Sequence, residues 1–199
     1  MPSRTQARFV QPCAVRSRPA KSSAAPVFHV HVRSSRATVG QVTVGNSHFR
    51  CALGRSGSRV IKREGDGATP IGLWQLRTVF YRSDRMPRPR SRIPIRILLK
   101  HDGWCDAPAD RNYNRLVRLP YPASCEPLWR SDSVYDIVVV LDHNSRPRHR
   151  CGGSAIFIHV ARPDFTPTEG CVALSRADLL RFLAAARLGS CLSVGTRRR

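Results

Sequence analysis

Short strand-length segments, separated by glycine, proline and asparagine, follow one another from Pro26 onward and favour a mainly β fold. The segment Val27–Val32 reads VFHVHV, the alternation of a strand with one buried face. The runs Ile95–Leu99 and Ile137–Leu141 are more continuously apolar, so we expect both to be strands buried on two faces. Further strands are predicted at Thr38–Val44, His48–Leu53, Gly72–Tyr81 and Ala155–Val160.

One helix is predicted, and it lies near the C-terminus. Ser175 is a good N-cap residue, and Asp178 places an acid in the first turn, where the helix dipole favours it. Apolar residues then recur at helical spacing, at Leu179, Leu180, Leu183, Ala184 and Leu188. Gly189 is a natural stop. The sequence therefore predicts a mainly β domain with one C-terminal α-helix packed on it.

The length of 199 residues suits one domain with terminal extensions. Residues 1–25 are rich in Ser, Pro, Ala and Arg without hydrophobic periodicity, so we expect a disordered basic leader. We place the folded domain at 26–194 and a basic tail at 195–199. Asp102–Ser133, which contains four prolines, is predicted to be a long ordered insertion.

The charge is strongly positive, with 34 basic against 13 acidic residues and a net charge of +21. Such an excess favours adhesion to nucleic acid, an anionic membrane or an acidic polymer, and it keeps open a non-enzymatic binder of polyanions or nucleic acid. Specific nucleic-acid recognition is not expected, because only 7% of the residues are aromatic and they are interleaved with basic residues only over Arg77–Arg82. No apolar run approaches the ~20 residues of a transmembrane segment, and no signal peptide is readable.

The seven cysteines do not form a recognisable metal or redox motif. No two lie closer than 20 positions and no CxxC occurs, so we expect neither a zinc ribbon nor a thioredoxin-type site. Because seven is odd, at least one cysteine has no disulfide partner within the chain.

The segment from His159 to Cys171 contains the residue types that a catalytic cysteine requires. His159 is near the end of an apolar run, eleven residues follow, and Gly170-Cys171 leads through Val172–Leu174 to the predicted helix. A cysteine acts as a nucleophile only as thiolate and so needs a base nearby, which His159 would supply. Gly170 permits backbone angles that would turn the amides around Cys171 towards an oxyanion. A buried, inert cysteine is the alternative.

These residues resemble the L,D-transpeptidase catalytic domain, also called the YkuD-like domain. The family signature has a histidine, a loop, and then Ser or Thr, any residue, Gly, Cys and an aliphatic residue, matched here by His159 and Thr168-Glu-Gly-Cys-Val172. Thr69-Pro-Ile-Gly72 resembles a second family element. Two further segments, Trp104-Cys-Asp106 and Tyr113-Asn-Arg115, resemble an insertion of a divergent bacterial branch. Position 173 is Ala where many members have Arg or Asn.

The resemblance implies a fold and an activity. The fold is a mixed β-sandwich or barrel, and the activity is that of a cysteine transpeptidase that acts on peptidoglycan stem peptides. Cys171 would form a thioester, His159 would be the base, and the amides of Gly170 and Cys171 would form the oxyanion hole. The acyl-enzyme would pass to an amine, giving a cross-link between diamino acids, or to water, making the chain an L,D-carboxypeptidase. No metal or organic cofactor is required. The implied location is the cell envelope or periplasm, and we expect a monomer.

Five other residues are candidates for contact with the stem peptide: Thr168, Trp104, Tyr113, Asn114 and Arg115. Thr168 is also suited to shaping the turn before Cys171, and the other four are equally suited to loop packing. Lys62 and Glu64 are expected to brace the loop before Thr69.

Overall fold

The computed structural model describes residues 24–196, which form fourteen strands and one helix. The elements, in chain order, are β1 Val27–Val32, β2 Val39–Val44, β3 Ser47–Ala52, β4 Ser58–Arg59, β5 Thr69–Pro70, β6 Gly72–Tyr81, β7 Ile95–Ile97, β8 Asp102–Cys105, β9 Arg115–Arg118, β10 Cys125–Pro127, β11 Ile137–Leu141, β12 Phe157–Val160, β13 Val172–Leu174, α1 Arg176–Ala185 and β14 Cys191–Thr196. The predicted leader, apart from its last two residues, lies outside the described part of the chain.

The main sheet closes on itself, so the domain is a mixed, barrel-like β structure. Its strand order is β11-β12-β13-β3-β2-β1-β14-β6-β7, and β11 also pairs with β6. Eight strands therefore form a ring, with β7 added at its edge. All eight ring strands and α1 contribute side chains to one main hydrophobic core. The predicted fold class, mainly β with one C-terminal helix, is confirmed.

The strand predictions succeed where burial follows from the local pattern. β1, β6 and β11 have the predicted bounds. β11 is buried on both faces as expected, because Ile137 and Val139 enter the main core while Val138 and Val140 enter a second hydrophobic cluster on the opposite face. The same expectation for Ile95–Leu99 is wrong. β7 ends at Ile97 and pairs only with β6 among the described strands, and this edge position leaves Ile97 exposed. Leu99, which follows the strand, is exposed as well.

The helix begins as predicted and ends early. The Ser175 hydroxyl accepts a hydrogen bond from the Asp178 amide at 3.1 Å, the contact expected of an N-cap. Leu179, Phe182 and Leu183 are buried, whereas α1 ends at Ala185. Gly189 lies beyond the helix, in the turn before β14, with φ at +85°. β14 continues through Thr196, and residues 197–199 lie outside the described part of the chain.

The predicted insertion forms a separate three-stranded antiparallel sheet in the order β10-β8-β9, which we call the side sheet. Trp104 of β8 packs edge-on against Phe157 of β12, with ring centroids 5.0 Å apart. Both rings belong to the second hydrophobic cluster, which also contains Cys171. The side sheet therefore covers the face of the main sheet on which the predicted nucleophile lies. Within residues 24–196, no helix has both the length and the hydropathy to cross a bilayer.

Candidate active site

Two neighbouring strands bring the predicted nucleophile and base to one face of the main sheet. β12 and β13 are parallel, and their register pairs Ile158 with Val172 and His159 with Ala173. Cys171 immediately precedes β13. Because side chains alternate along a strand and directly paired residues point the same way, His159 and Cys171 project to the same side. Both line a cavity of about 600 Å³.

The surroundings of Cys171 favour the protonated thiol over the thiolate. The thiol is buried, donates a hydrogen bond to the Ala155 carbonyl (3.1 Å) and accepts one from the Phe157 amide (3.4 Å). Burial, aided by the negative charge of Glu126, raises the pKa of Cys171 to about 12. For Cys171 to act as a nucleophile, a base would therefore have to remove the thiol proton.

His159 is held as a neutral imidazole with one nitrogen available to accept a proton. Its Nδ1 lies 3.0 Å from the Val160 carbonyl oxygen, which can only accept, so Nδ1 carries the hydrogen and Nε2 is the basic nitrogen. Burial lowers the pKa of His159 to about 4. The Tyr135 ring packs edge-on against the imidazole at 5.4 Å. A backbone carbonyl and an aromatic ring thus orient the base without a carboxylate.

The turn before Cys171 is built by Thr168 and Gly170. The Thr168 hydroxyl donates to the Cys171 carbonyl (2.6 Å) and accepts from the Gly170 amide (3.2 Å). Gly170 has φ at +135°, and a Cβ there would lie 2.8 Å from the Ala68 carbonyl oxygen, so glycine is required twice over. Of the two amides expected to form an oxyanion hole, that of Gly170 is engaged by Thr168, which leaves that of Cys171 as the better candidate.

The loop before Thr69 supplies a buried cation to the cavity. Lys62 Nζ donates to Asp66 Oδ1 at 2.6 Å, and the lysine side chain is almost fully buried. Burial of Asp66 opposes ionisation, but hydrogen bonds from Lys62 and from the Arg63 and Ala68 amides lower its pKa overall. Lys62 lines the cavity, and its charge partly offsets the effect of burial on the pKa of Cys171. The expected bracing role is consistent with this ion pair.

Two residues that no sequence motif marks lie next to His159 and Cys171. The Tyr135 hydroxyl donates to Glu126 Oε1 at 2.6 Å, and both residues line the cavity. Burial raises the pKa of Glu126. Glu126 comes from β10 of the side sheet, and Tyr135 from the segment before β11. Nothing in their spacing marks them, because the fold alone brings these segments to His159 and Cys171.

Four predicted substrate contacts lie outside the cavity lining. Trp104, Tyr113 and Asn114 are buried, and Arg115 is exposed on β9. Asn114 Oδ1 accepts from Trp104 Nε1 (2.9 Å) and the Ala155 amide (3.2 Å), and Nδ2 donates to two backbone carbonyls. The Tyr113 hydroxyl donates to Glu64, a residue of the cavity lining. The cavity wall is supported on its outer side by Trp104, Tyr113 and Asn114, which do not line the cavity. Thr168 is part of the cavity lining.

No group of three or more His, Cys, Asp and Glu side chains within residues 24–196 is arranged to hold a metal ion. The groups that the cavity brings together are a thiol, an imidazole with a free acceptor nitrogen, a backbone amide and flanking charges of both signs.

The family model for the L,D-transpeptidase catalytic domain, YkuD, matches residues 27–194. The crystal structure of Mycobacterium tuberculosis L,D-transpeptidase 1 is similar at 12% identity with a TM-score of 0.38, covering 85% of this chain and 61% of that chain. A search of curated proteins finds no match. Because the family model covers most of its length, the chain belongs to the L,D-transpeptidase catalytic domain family.

Proposed function

We propose that this chain is a cysteine L,D-transpeptidase that acts on peptidoglycan stem peptides through a thioester acyl-enzyme. The observation that carries the proposal is that a buried cysteine just before β13 and a buried histidine on the neighbouring strand β12 line one cavity. Membership of the family supports an enzyme of this type. The substrate implied is the peptide bond between the L-centre of a diamino acid and D-Ala.

In the first half-reaction, Cys171 Sγ attacks the carbonyl carbon of that bond while the thiol proton passes to Nε2 of His159. The hydrogen bond from Nδ1 to Val160 keeps Nε2 free for this proton and supports the imidazolium that forms. The Cys171 amide stabilises the oxyanion. The imidazolium then protonates the departing amine, D-Ala leaves, and a thioester remains on Cys171.

In the second half-reaction, neutral His159 removes a proton from the amine of a second stem peptide as that amine attacks the thioester. The product is a cross-link between diamino acids, and the thiol is restored. If water is the acceptor, the same acyl-enzyme gives an L,D-carboxypeptidase. The peptidoglycan substrate implies a location in the cell envelope, where the arginine excess would favour anionic wall polymers.

Acylation by a carbapenem tests the nucleophile directly. The wild type should gain one covalent adduct in intact-mass measurements, and Cys171→Ala should gain none. Cys151→Ala is the matched control, because Cys151 is the exposed thiol among the described cysteines and its loss should leave the adduct in place. An adduct that survives in Cys171→Ala and disappears in Cys151→Ala would overturn the assignment.

Product analysis separates the two outcomes of the acyl-enzyme. Incubation with purified disaccharide-tetrapeptides should release D-Ala and give cross-linked dimers. Tripeptide without dimers would identify the carboxypeptidase, and no D-Ala release from a protein that is acylated by the carbapenem would overturn the stem-peptide substrate.

A further inference from the structure

Two cysteines that the proposed reaction does not use lie opposite each other on adjacent strands of the side sheet. β8 and β10 are antiparallel, and their register places Cys105 directly opposite Cys125. The described strands pair no other two cysteines. Cys51 lies opposite Gly40 and Leu174, and Cys191 lies opposite Val27 and Gln75.

The backbone hydrogen bonds show which kind of pair this is. The Asp106 amide donates to the Ser124 carbonyl at 3.2 Å, and the Leu128 amide donates to the Asp102 carbonyl at 3.0 Å. Since hydrogen-bonded and non-hydrogen-bonded pairs alternate along an antiparallel ladder, these contacts make Cys105 and Cys125 a non-hydrogen-bonded pair. In such pairs the Cα atoms are about 4.5 Å apart and the side chains are closest. That separation lies within the roughly 4.4–6.8 Å range of disulfides.

The two thiols differ in access. Cys105 is fully buried, whereas Cys125 is partly exposed. Burial, and after it the adjacent Cys105 thiol, raises the pKa of Cys125 to about 11. A reagent in solution would therefore reach Cys125 first, and the exchange would accelerate with rising pH as its thiolate fraction grows.

We propose that Cys105 and Cys125 are a disulfide site that links β8 to β10. The oxidant is a small-molecule or protein disulfide. The Cys125 thiolate attacks one of its sulfurs, forms a mixed disulfide and expels the first thiolate. Cys105, as thiolate, then attacks the Cys125 sulfur and expels the second. Two protein thiols are oxidised, one external disulfide is reduced to two thiols, and the two protons lost by the protein pass to the departing thiolates.

The link would brace one wall of the candidate active site. Side chains alternate along β10, so Glu126 projects to the face opposite Cys125, where it lines the cavity beside Cys171. Trp104 of β8 is the residue opposite Glu126. A bond between Cys105 and Cys125 ties together the strands that carry both residues, and it restricts the unfolded chain by closing the intervening loop.

Thiol mapping after oxidation tests the proposal. The reduced full-length protein is incubated with oxidised glutathione at about pH 9, where the thiolate fraction is higher, quenched with acid, alkylated and digested with trypsin. The sequence places the two cysteines in separate tryptic peptides, 101–111 and 119–130. We expect these peptides to be joined, with a mass equal to their sum less two hydrogens.

Two variants distinguish a disulfide between Cys105 and Cys125 from unselective oxidation of accessible cysteines. Cys105→Ser should keep glutathione on peptide 119–130, because the resolving thiol is absent. Cys151→Ser, which lacks an exposed thiol outside the side sheet, should form the link as the wild type does. The proposal is overturned if wild-type peptide 119–130 keeps glutathione, or stays alkylated while Cys151 is oxidised in the same sample.

Thermal unfolding supplies a second measurement. The oxidised wild type should melt several degrees above the reduced protein, and Cys125→Ser should show no such difference. Equal melting temperatures of linked and reduced protein would show that the bond does not brace the side sheet.

Discussion

The two walls of the candidate active site are built by different means. His159 and Cys171 lie on and beside β12 and β13, whose positions are set by backbone ladder hydrogen bonds. The opposite wall depends on side-chain hydrogen bonds, such as the buried one between Asn114 and Trp104 and the partly buried one between Tyr135 and Glu126. Substitutions at His159 and Cys171 should therefore lower activity with little loss of stability. Substitutions in the hydrogen-bonded network of the opposite wall should mainly lower the free energy of unfolding.

His159→Gln should have the largest effect of the substitutions considered, and the effect should be on the rate of acylation. Removing a general base costs about 10²–10⁴-fold in rate, and glutamine is close to histidine in size. We expect the carbapenem acylation rate to fall by that factor, with the urea midpoint nearly unchanged. Stopped-flow acylation and urea unfolding measure the two quantities. A loss of less than about tenfold would mean that His159 is not the base.

Asn114→Ala should have the next largest effect, on stability. The change leaves Trp104 Nε1 and the Ala155 amide without their acceptor. It also places alanine at φ +55°, which favours asparagine or glycine. We expect a loss of about 3 kcal/mol in the free energy of unfolding, measured by urea denaturation.

Asn112→Ala is the matched control for that substitution. Asn112 lies in the same loop, and its side chain donates one hydrogen bond, to Tyr121. Its removal should cost about 1 kcal/mol or less. Equal losses in the two variants would mean that the network around Asn114 does not support the wall.

The pH dependence of the acylation rate should report on the wall that carries His159 and Cys171. Because the pKa of His159 is about 4 and that of Cys171 about 12, the acylation rate should be flat from about pH 6 to 8 and fall only as pH approaches 4. An inflection between pH 6 and 7 would contradict a buried neutral imidazole.

The same depressed pKa affects stability. Unfolded histidine titrates near about 6.5, so between that pH and about 4 the unfolded chain binds more protons than the folded chain does at His159. Its contribution to stability is therefore fully present above pH 6.5 and is lost as the pH falls towards 4. Urea unfolding across this range should show a shallower decline for His159→Gln than for the wild type.

The same division explains what could be predicted from the sequence. His159 and Cys171 flank one local segment, and strands such as β6 and β11 carry their pattern within a few residues. The exposure of β7 depends instead on which strands lie beside it, and no local pattern contains that information.

The side sheet shows the same limit more strongly. Its strands are short, and Glu126 reaches the cavity only because β10 pairs with β8 and Tyr135 arrives from a different segment. The resemblance drew attention to Trp104 and Asn114, but their place behind the wall follows from tertiary contacts.

The smallest predicted effect tests whether the two walls communicate electrostatically. The negative charge of Glu126 raises the pKa of Cys171, after burial itself, so Glu126→Gln should lower that pKa while the amide oxygen still accepts from Tyr135. At pH 8 we expect iodoacetamide to alkylate Cys171 about threefold faster, because a lower pKa leaves a larger fraction of the thiol as thiolate. Glu169→Gln is the control, because Glu169 lines the same cavity but is exposed and paired with Arg55. Glu169→Gln should leave the rate unchanged, since its charge is screened by solvent. Equal rates for Glu126→Gln and the wild type would show that the side sheet shapes the cavity without tuning the nucleophile.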